Sequence, residues 1–240
     1  ESNTLSGPVF IRDNKINTRY CGLCSYDYII LSNLSYNTIE YDTNSTTGEY
    51  NPFRCYGWMT QGSLPDTMWI VGNKIRFNAV GSINYGGFSL YDFHPSDALV
   101  MANNEFYYPN NPDISNIYCT IGYNDNLHFI NNSMLSNISS GYLELYGNGG
   151  KTILKNNNLV NLDGGDLLMI NGQSITESDY NNIYSSAVTL STWQSMTGQD
   201  VHSVSVSPYF LNPALNLDLL DDSGLECPRD SPWELIKSLP

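Results

Sequence analysis

Apolar and polar positions along most of the chain are organised around a recurring asparagine. At seven places an asparagine is followed two residues later by an apolar residue, in the pairs Asn14/Ile16, Asn37/Ile39, Asn73/Ile75, Asn104/Phe106, Asn132/Met134, Asn157/Leu159 and Asn181/Ile183. Three residues before the asparagine stand Ile11, Leu34, Ile70, Met101, Phe129, Leu154 and Ser178, of which only the last is polar. This pattern is an internal repeat, and it predicts a stack of similar structural units.

The repeat predicts short strands joined by a corner at the asparagine. Successive asparagines are 23 to 36 residues apart, which indicates a basic unit with insertions in the middle of the chain. The two apolar positions of a unit are separated by an odd number of residues, so they would face opposite sides of an unbroken strand. Both can point inward only if the chain bends between them. We expect the asparagine to occupy that bend in the left-handed backbone conformation, which it tolerates well.

Stacked units of this kind predict an all-β, single-stranded parallel β-helix, a solenoid of about seven coils in which asparagine amides form ladders at the strand spacing of about 4.8 Å. A β-sandwich is the first alternative, because hairpin-rich proteins also place apolar residues after asparagine. It would require frequent two-residue turns and would show no fixed period. Leucine-rich and helical solenoids are further alternatives, but no segment keeps a helical apolar period with caps.

Composition limits the classes of partner. The 240 residues include 10 Lys and Arg against 24 Asp and Glu, a formal net charge of −14. That charge repels phosphate backbones and anionic lipid headgroups, so no nucleic acid is expected as a partner. No apolar run is long enough for a spanning helix, and no membrane insertion is expected. Few charged residues and many neutral polar ones are typical of a β-rich extracellular protein.

Neither a disulfide framework nor a metal centre is predicted. The five cysteines are an odd number and scattered, at Cys21, Cys24, Cys55, Cys119 and Cys227. Cys21 and Cys24 could be half of a zinc site, but no second pair follows at a suitable spacing, so buried apolar roles are favoured. The segment from Asp163 to Asp166 could hold calcium, although a turn is the favoured interpretation. We therefore expect no cofactor, with calcium as the alternative.

The C-terminal part of the chain carries a distinctive series of motifs. From Ser178 it contains Ser-Asp-Tyr-Asn-Asn-Ile-Tyr, then Trp193, Thr197-Gly198-Gln199-Asp200, His202-Ser203, Pro208-Tyr209-Phe210, Asn212-Pro213 and Ser231-Pro232. This series resembles the terminal coil of bacterial secreted right-handed parallel β-helix repeat proteins, which have a pectin-lyase-like architecture. Ser207 departs from the aspartate that is usual before the first proline. The resemblance covers residues 178 to 232 and implies a right-handed coil and a secreted or cell-surface location.

We predict two regions. Residues 1–190 form the coils, with inserted loops at about 41–66 and 79–100, and residues 191–240 form a capping segment on the last coil. A solenoid must cover its terminal strand edges, which would otherwise pair with other chains. The residues expected to cover them are Trp193, Phe210, Leu211, Leu219 and Trp233. Asp200 and His202 lie in this segment, so we predict structural roles for both. No cap is visible before Asn14, and further coils are expected to precede residue 1 in the intact protein.

The inserted regions combine aromatic residues with carboxylates. Aromatic faces stack on sugar rings while carboxylates and amides bond hydroxyl groups. We therefore predict that Trp58, Trp69, Tyr85 and Tyr91 bind ligand, with packing of the loops onto the coils as the alternative. Catalysis by a glycosidase requires two carboxylates about 5 to 9 Å apart. Asp92, His94 and Asp97 are the weak candidates for catalytic residues.

The sequence favours a non-catalytic extracellular protein, a monomer or part of a longer chain, that binds polysaccharide or glycan or forms a surface scaffold. The first alternative is a carbohydrate-active enzyme, either a polysaccharide lyase or a glycoside hydrolase. Against it, the Gly-His-Gly and Arg-x-Lys motifs of pectin hydrolases are absent from the sequence, and the chain has few cations to neutralise a uronate. A purely structural spacer or adhesin is a further alternative.

Overall fold

The computed structural model of the protein describes residues 9–18, 23–25, 31–43, 49–56, 67–79, 85–91, 98–108, 117–122, 126–137, 141–146, 150–163, 167–171, 174–185 and 187–208. These residues form twenty β-strands and one α-helix.

The strands form three parallel sheets, each of which takes every third strand of the chain. The first sheet contains β1 (Val9–Arg12), β4 (Leu31–Ser35), β7 (Thr67–Val71), β10 (Ala98–Ala102), β13 (Asn126–Ile130), β16 (Lys151–Lys155) and β19 (Ser174–Asp179). The second contains β2 (Lys15–Thr18), β5 (Thr38–Thr43), β8 (Lys74–Ala79), β11 (Glu105–Tyr108), β14 (Ser133–Ser136), β17 (Asn158–Asn161) and β20 (Asn182–Tyr184). The third contains β3 (Leu23–Ser25), β6 (Glu49–Tyr56), β9 (Tyr85–Tyr91), β12 (Ile117–Gly122), β15 (Gly141–Tyr146) and β18 (Leu168–Asn171).

The predicted all-β class is confirmed, and the pairing is that of a solenoid-like fold, compatible with a β-helix. Neighbouring strands in each sheet run parallel and come from successive repeat units. Parallel neighbours need a crossover connection, whereas the hairpins of a sandwich would give antiparallel pairs. The β-sandwich alternative is therefore wrong for the described residues. Their single helix, α1 (Leu190–Thr197), also excludes a helical solenoid there.

Both apolar positions of the repeat face the core, as predicted. Three residues before the asparagine, the fully or almost fully buried side chains are Leu34, Ile70, Met101, Phe129 and Leu154. Two residues after it, the corresponding side chains are Ile39, Ile75, Phe106, Met134, Leu159 and Ile183. Burying one side chain of this size stabilises the fold by about 1.5–3 kcal/mol. Ile11 and Ile16 of the first unit are partly buried and pack against the same cluster, so the core continues from one unit to the next.

The bend lies one residue before the asparagine, so the predicted position of the turn is wrong. The left-handed backbone conformation belongs to the residue before each asparagine, with φ from 54° at Asn156 to 68° at Gly72. The residues at this corner are Asp13, Tyr36, Gly72, Asn103, Asn131, Asn156 and Tyr180. Because the preceding residue turns the chain, the asparagine itself can direct its side chain into the stack.

The predicted asparagine ladder is confirmed. The seven asparagines form one continuous series from Asn14 to Asn181, in which each Nδ2 donates to Oδ1 of the next at 2.9–3.3 Å. The main-chain N–H of each donates to the same oxygen at 2.9–3.1 Å. The other hydrogen of the Nδ2 group is donated to a main-chain carbonyl. In Asn73 this acceptor is the carbonyl of Leu34, at 2.9 Å. An unsatisfied buried polar group would cost about 1–3 kcal/mol, so the ladder removes a large penalty in each unit.

Helix α1 follows the last strand and contributes to the core. Thr189 caps its N-terminus by accepting a hydrogen bond from the N–H of Thr192, and Gly198 ends it in the left-handed conformation. Trp193, in the middle of the helix, is buried in the main hydrophobic cluster. Beyond the helix, Val204 pairs in parallel with Asn182 and extends the second sheet by a bridge.

The predicted region boundaries stay predictions. Strands β6 and β9 lie inside the ranges 41–66 and 79–100 that we expected to be inserted loops, because part of each long interval supplies a strand of the third sheet. Of the five residues expected to cover the last coil, Trp193 packs into the core, and the other four, Phe210, Leu211, Leu219 and Trp233, lie outside the described residues.

Candidate functional site

Only one of the predicted site residues has a described side chain. Trp69 is the central residue of β7. Tyr85 and Tyr91 are the first and last residues of β9, and only their backbone is described. Trp58, Asp92, His94 and Asp97 lie outside the described residues. The predicted roles of these residues in ligand binding and catalysis therefore stay predictions, and Trp69 is the one whose surroundings the structure describes.

Trp69 lies on the outer face of the first sheet. On β7 Met68 and Ile70 are fully buried, while Trp69 between them is partly exposed. Parallel register places Trp69 beside Asn33 of β4, and Asn33 beside Phe10 of β1. Phe10 is 59% exposed. The first sheet thus carries a row of aromatic, amide and aromatic side chains that crosses three neighbouring strands.

Arg12 and Ser35 fix the amide in the middle of this row. Nε of Arg12 donates to Oδ1 of Asn33 at 3.1 Å, and Oγ of Ser35 donates to the same oxygen at 2.6 Å. Cζ of Arg12 lies 5.4 Å from the centre of the Phe10 ring, within the range of a cation–π contact. We call Phe10, Arg12, Asn33, Ser35 and Trp69 the outer patch. Its polar groups are oriented by the protein itself.

The outer patch retains hydrogen-bond donors for a ligand. Nδ2 of Asn33 makes no hydrogen bond to another described residue, and no described carboxylate forms an ion pair with Arg12. A guanidinium has five N–H donors, of which Asn33 uses one. The patch therefore presents two aromatic surfaces with amide and guanidinium donors between them.

A further exposed aromatic lies at the adjoining corner. Tyr36 follows Ser35 in the left-handed conformation and is 64% exposed. Its ring lies against Gly72, where a Cβ atom would come within 2.6 Å of Cδ1 of the tyrosine. Gly72 thus serves two purposes, since it adopts a positive φ and leaves room for the ring.

The cationic side chains Lys74 and Arg76 of the second sheet form ion pairs with a carboxylate of the protein. Nζ of Lys74 lies 2.9 Å from Oε1 of Glu105, and Nη2 of Arg76 lies 3.7 Å from Oε2 of the same carboxylate. Arg76 is almost completely buried and also faces the ring of Tyr107 at 5.9 Å. A buried charge needs such partners. This cluster consequently has the character of a structural ion pair.

Asp200 occupies the end of the asparagine ladder. It is 1% exposed, and its Oδ1 accepts hydrogen bonds from Nδ2 of Asn181 at 2.9 Å and Oγ of Ser203 at 2.5 Å. Its Oδ2 accepts from Nε1 of Trp193 at 2.6 Å. Oγ of Ser203 in turn accepts the main-chain N–H of Asn181 at 2.8 Å. Asp200 and Ser203 together accept both hydrogen bonds that an eighth asparagine would accept.

Gln199 satisfies backbone groups of the last strand in the first sheet. Its Oε1 accepts a short hydrogen bond from the N–H of Ser178, and its Nε2 donates to the carbonyl of Ile175 at 3.0 Å. These are groups of β19 that no further strand pairs with in the described structure. The side-chain amide thus substitutes for part of a neighbouring strand.

His202 binds the end of β19 on the outside of the same corner. Its N–H donates to Oδ1 of Asp179 at 2.8 Å, and its Nδ1 lies 2.7 Å from Oδ2 of that carboxylate. Its ring stacks on Tyr180 with 5.0 Å between ring centres. Burial raises the pKa of Asp179, but hydrogen bonds from His202 and from the N–H of Tyr180 outweigh it, so the pKa is lowered overall. These contacts agree with the predicted structural roles of Asp200 and His202.

Metal ligands do not cluster in the part of the chain that the structure describes, where no three His, Cys, Asp or Glu residues come together. Asp163 is exposed, and its N–H donates to Oδ1 of Asn161 at 3.1 Å in a turn. The rest of that candidate calcium segment lies outside the described residues. Helix α1, the one helix among them, is too short to cross a membrane.

Comparison of the chain with protein-family models, with curated proteins and with solved structures finds no match. The resemblance of residues 178 to 232 to secreted β-helix repeat proteins therefore stays a prediction.

Sequence reasoning missed Phe10, Arg12 and Asn33. One signal could have found them, because Phe10, Asn33 and Trp69 all stand four residues before a repeat asparagine. Positions with the same offset become neighbours when the units stack in register.

Proposed function

We propose that the protein is an extracellular right-handed parallel β-helix of about seven coils, secreted or at the cell surface, that binds glycan through the outer patch. Three parallel sheets, a continuous asparagine ladder and a side-chain cap at its end support the architecture. The C-terminal motifs from Ser178 to Pro232 support the location.

The single observation that carries the binding function is the row of Phe10, Asn33 and Trp69. Sugar rings have apolar C–H faces and polar edges, so they bind where aromatic surfaces alternate with fixed hydrogen-bond donors. Arg12 and Ser35 hold the Asn33 amide in one orientation before any ligand arrives. Preorganisation of this kind lowers the entropic cost of binding.

The outer patch favours binding over catalysis, because its five side chains include no carboxylate to act as acid, base or nucleophile. A carbohydrate-active enzyme, the alternative, depends on Asp92, His94 and Asp97 beyond the described residues and stays a prediction.

The test is a glycan array probed with the purified protein, followed by titration of the strongest ligands. Phe10→Ala and Trp69→Ala should each weaken binding about tenfold, which corresponds to about 1.4 kcal/mol. Tyr180→Asn is the matched control. It removes an exposed aromatic beside β19, the strand of the first sheet farthest from β1, and introduces the residue that three equivalent corners already carry. Silence of the whole array, or equal binding by all variants, would refute the proposal.

A further inference from the structure

We infer that the ligand of the outer patch is an extended β-1,4-linked glycan that lies across the strands of the first sheet. One sugar stacks on Phe10, the next lies over Asn33, and the third stacks on Trp69. This inference rests on the proposed glycan-binding function and specifies the class of ligand.

The spacing of the two aromatic residues supports an extended chain. Phe10 and Trp69 lie in one register row with Asn33 on the strand between them, so they are separated by two strand spacings, roughly 9.6 Å. In an extended β-1,4-linked chain each sugar is flipped relative to the one before it. Every second sugar therefore presents the same face, and this repeat is close to two strand spacings. An α-1,4-linked chain coils and cannot lay two such faces along a flat row.

The polar groups of the patch are placed to donate hydrogen bonds to the sugar that lies between the two stacked sugars. Nδ2 of Asn33 is a donor at the middle of the row, and its orientation is set because Oδ1 already accepts from Arg12 and Ser35. The Arg12 guanidinium lies over one face of the Phe10 ring, so its other donors lie near a sugar that stacks on the opposite face. Hydroxyl and ring oxygens of the glycan are the natural acceptors for both groups.

The row ends on the side of β10. Beyond Trp69 the same register continues to Val100 of β10 and His128 of β13, neither of which offers a stacking surface like that of tryptophan. We therefore expect sugars that extend past Trp69 toward β10 to add little affinity.

The first test varies the glycosidic linkage of the ligand. Calorimetric titration measures the affinity of the protein for a panel of hexasaccharides. The β-1,4-linked panel contains the gluco, manno, xylo and N-acetylglucosamine series, and maltohexaose is the α-1,4-linked counterpart of the gluco series. At least one β-1,4-linked ligand should bind at least tenfold more tightly than maltohexaose. If maltohexaose binds as tightly as the best of the panel, or if only other glycans of the array bind, the inference is wrong while glycan binding stands. If no glycan binds, the proposed function itself fails.

Spacing provides the second test. The double variant Trp69→Val/Val100→Trp keeps the composition of the row but moves the indole one strand further from Phe10. We expect it to lose about tenfold in affinity, as Trp69→Ala does. Phe10→Trp keeps the spacing and should bind at least as well as the wild type. Thermal unfolding must show that both variants fold, and wild-type affinity in the shifted double variant would overturn the inference.

Discussion

The carboxylate of Asp200 accepts a hydrogen bond from the side-chain amide of Asn181 at 2.9 Å, and this contact ends a ladder that begins at Asn14. The same carboxylate bonds the indole of Trp193, so one residue joins the end of the ladder to the helix that follows the last strand. Stability of the last repeat unit should therefore depend strongly on Asp200.

Replacement of Asp200 by alanine should lower the free energy of unfolding by about 3 kcal/mol or more, because buried donors of Asn181 and Trp193 lose their acceptor. Asp200→Asn should cost less, since one oxygen remains to accept. Urea denaturation measures both. Asp13→Asn is the control, an exposed corner residue whose change should stay within about 0.5 kcal/mol. An Asp200→Ala effect as small as that of the control would contradict the structural role.

Replacement of an interior asparagine of the ladder should lower the free energy of unfolding more than replacement of the first one. Asn104→Ala removes an acceptor of two hydrogen bonds and a donor of two, all buried, so we expect a loss of roughly 3–5 kcal/mol in unfolding free energy. Asn14 is exposed, and no described asparagine donates a hydrogen bond to its side chain, so Asn14→Ala removes fewer contacts among the described residues. Its effect should be less than half as large. Equal effects in chemical denaturation would show that the ladder contributes nothing beyond local turn formation.

Acid should weaken the contact between Asp179 and His202. The pKa of Asp179 is lowered from its ordinary value of 3.8 in the folded protein, so the unfolded chain binds the proton more tightly. The resulting stability is present above that ordinary value and is lost as the pH falls through the folded pKa. The stability difference between wild type and Asp179→Asn should therefore shrink as the pH falls below about 4. A difference that stays constant from pH 6 to pH 2.5 would contradict this linkage.

Gly72 and Tyr36 should be energetically coupled. Gly72→Ala should cost about 1–2 kcal/mol, because alanine disfavours the left-handed conformation and its Cβ would displace the tyrosine ring. In the Tyr36→Asn background only the backbone part of that cost remains. A double-mutant cycle by urea denaturation measures the coupling. Additive effects would mean that the ring moves away without cost.

The core and the ladder could be predicted from the sequence because each depends on a position that recurs in every unit. Phe106 and Phe129, for example, are identified as core residues by their offset from Asn104 and Asn132 alone. Structural roles for Asp200 and His202 are predicted from their position in the segment after the coils, and the contacts of both residues agree with that prediction.

The corner could not be found in the same way. Tyrosine has little preference for the left-handed conformation, so Tyr36 and Tyr180 give no local turn signal, and the recurring geometry of the repeat imposes their conformation. Asn33 and Trp69 are 36 positions apart in sequence and meet through strand register. Their common offset from a repeat asparagine predicts that register, but it does not predict the contacts of Arg12 and Ser35 that orient the Asn33 amide.

The ladder also has a direction. From Asn37 onward each side-chain oxygen accepts from the asparagine of the unit before it, and each side-chain amide donates to the unit after it, until the donors of Asn181 meet the carboxylate of Asp200 and the hydroxyl of Ser203. A duplicated unit inserted between Asn37 and Asn157 would find the correct donor on one side and the correct acceptor on the other. A unit placed after Asp200 would meet a carboxylate, which accepts hydrogen bonds and has no amide hydrogen to donate. Repeats of this protein can therefore multiply from within, by internal duplication.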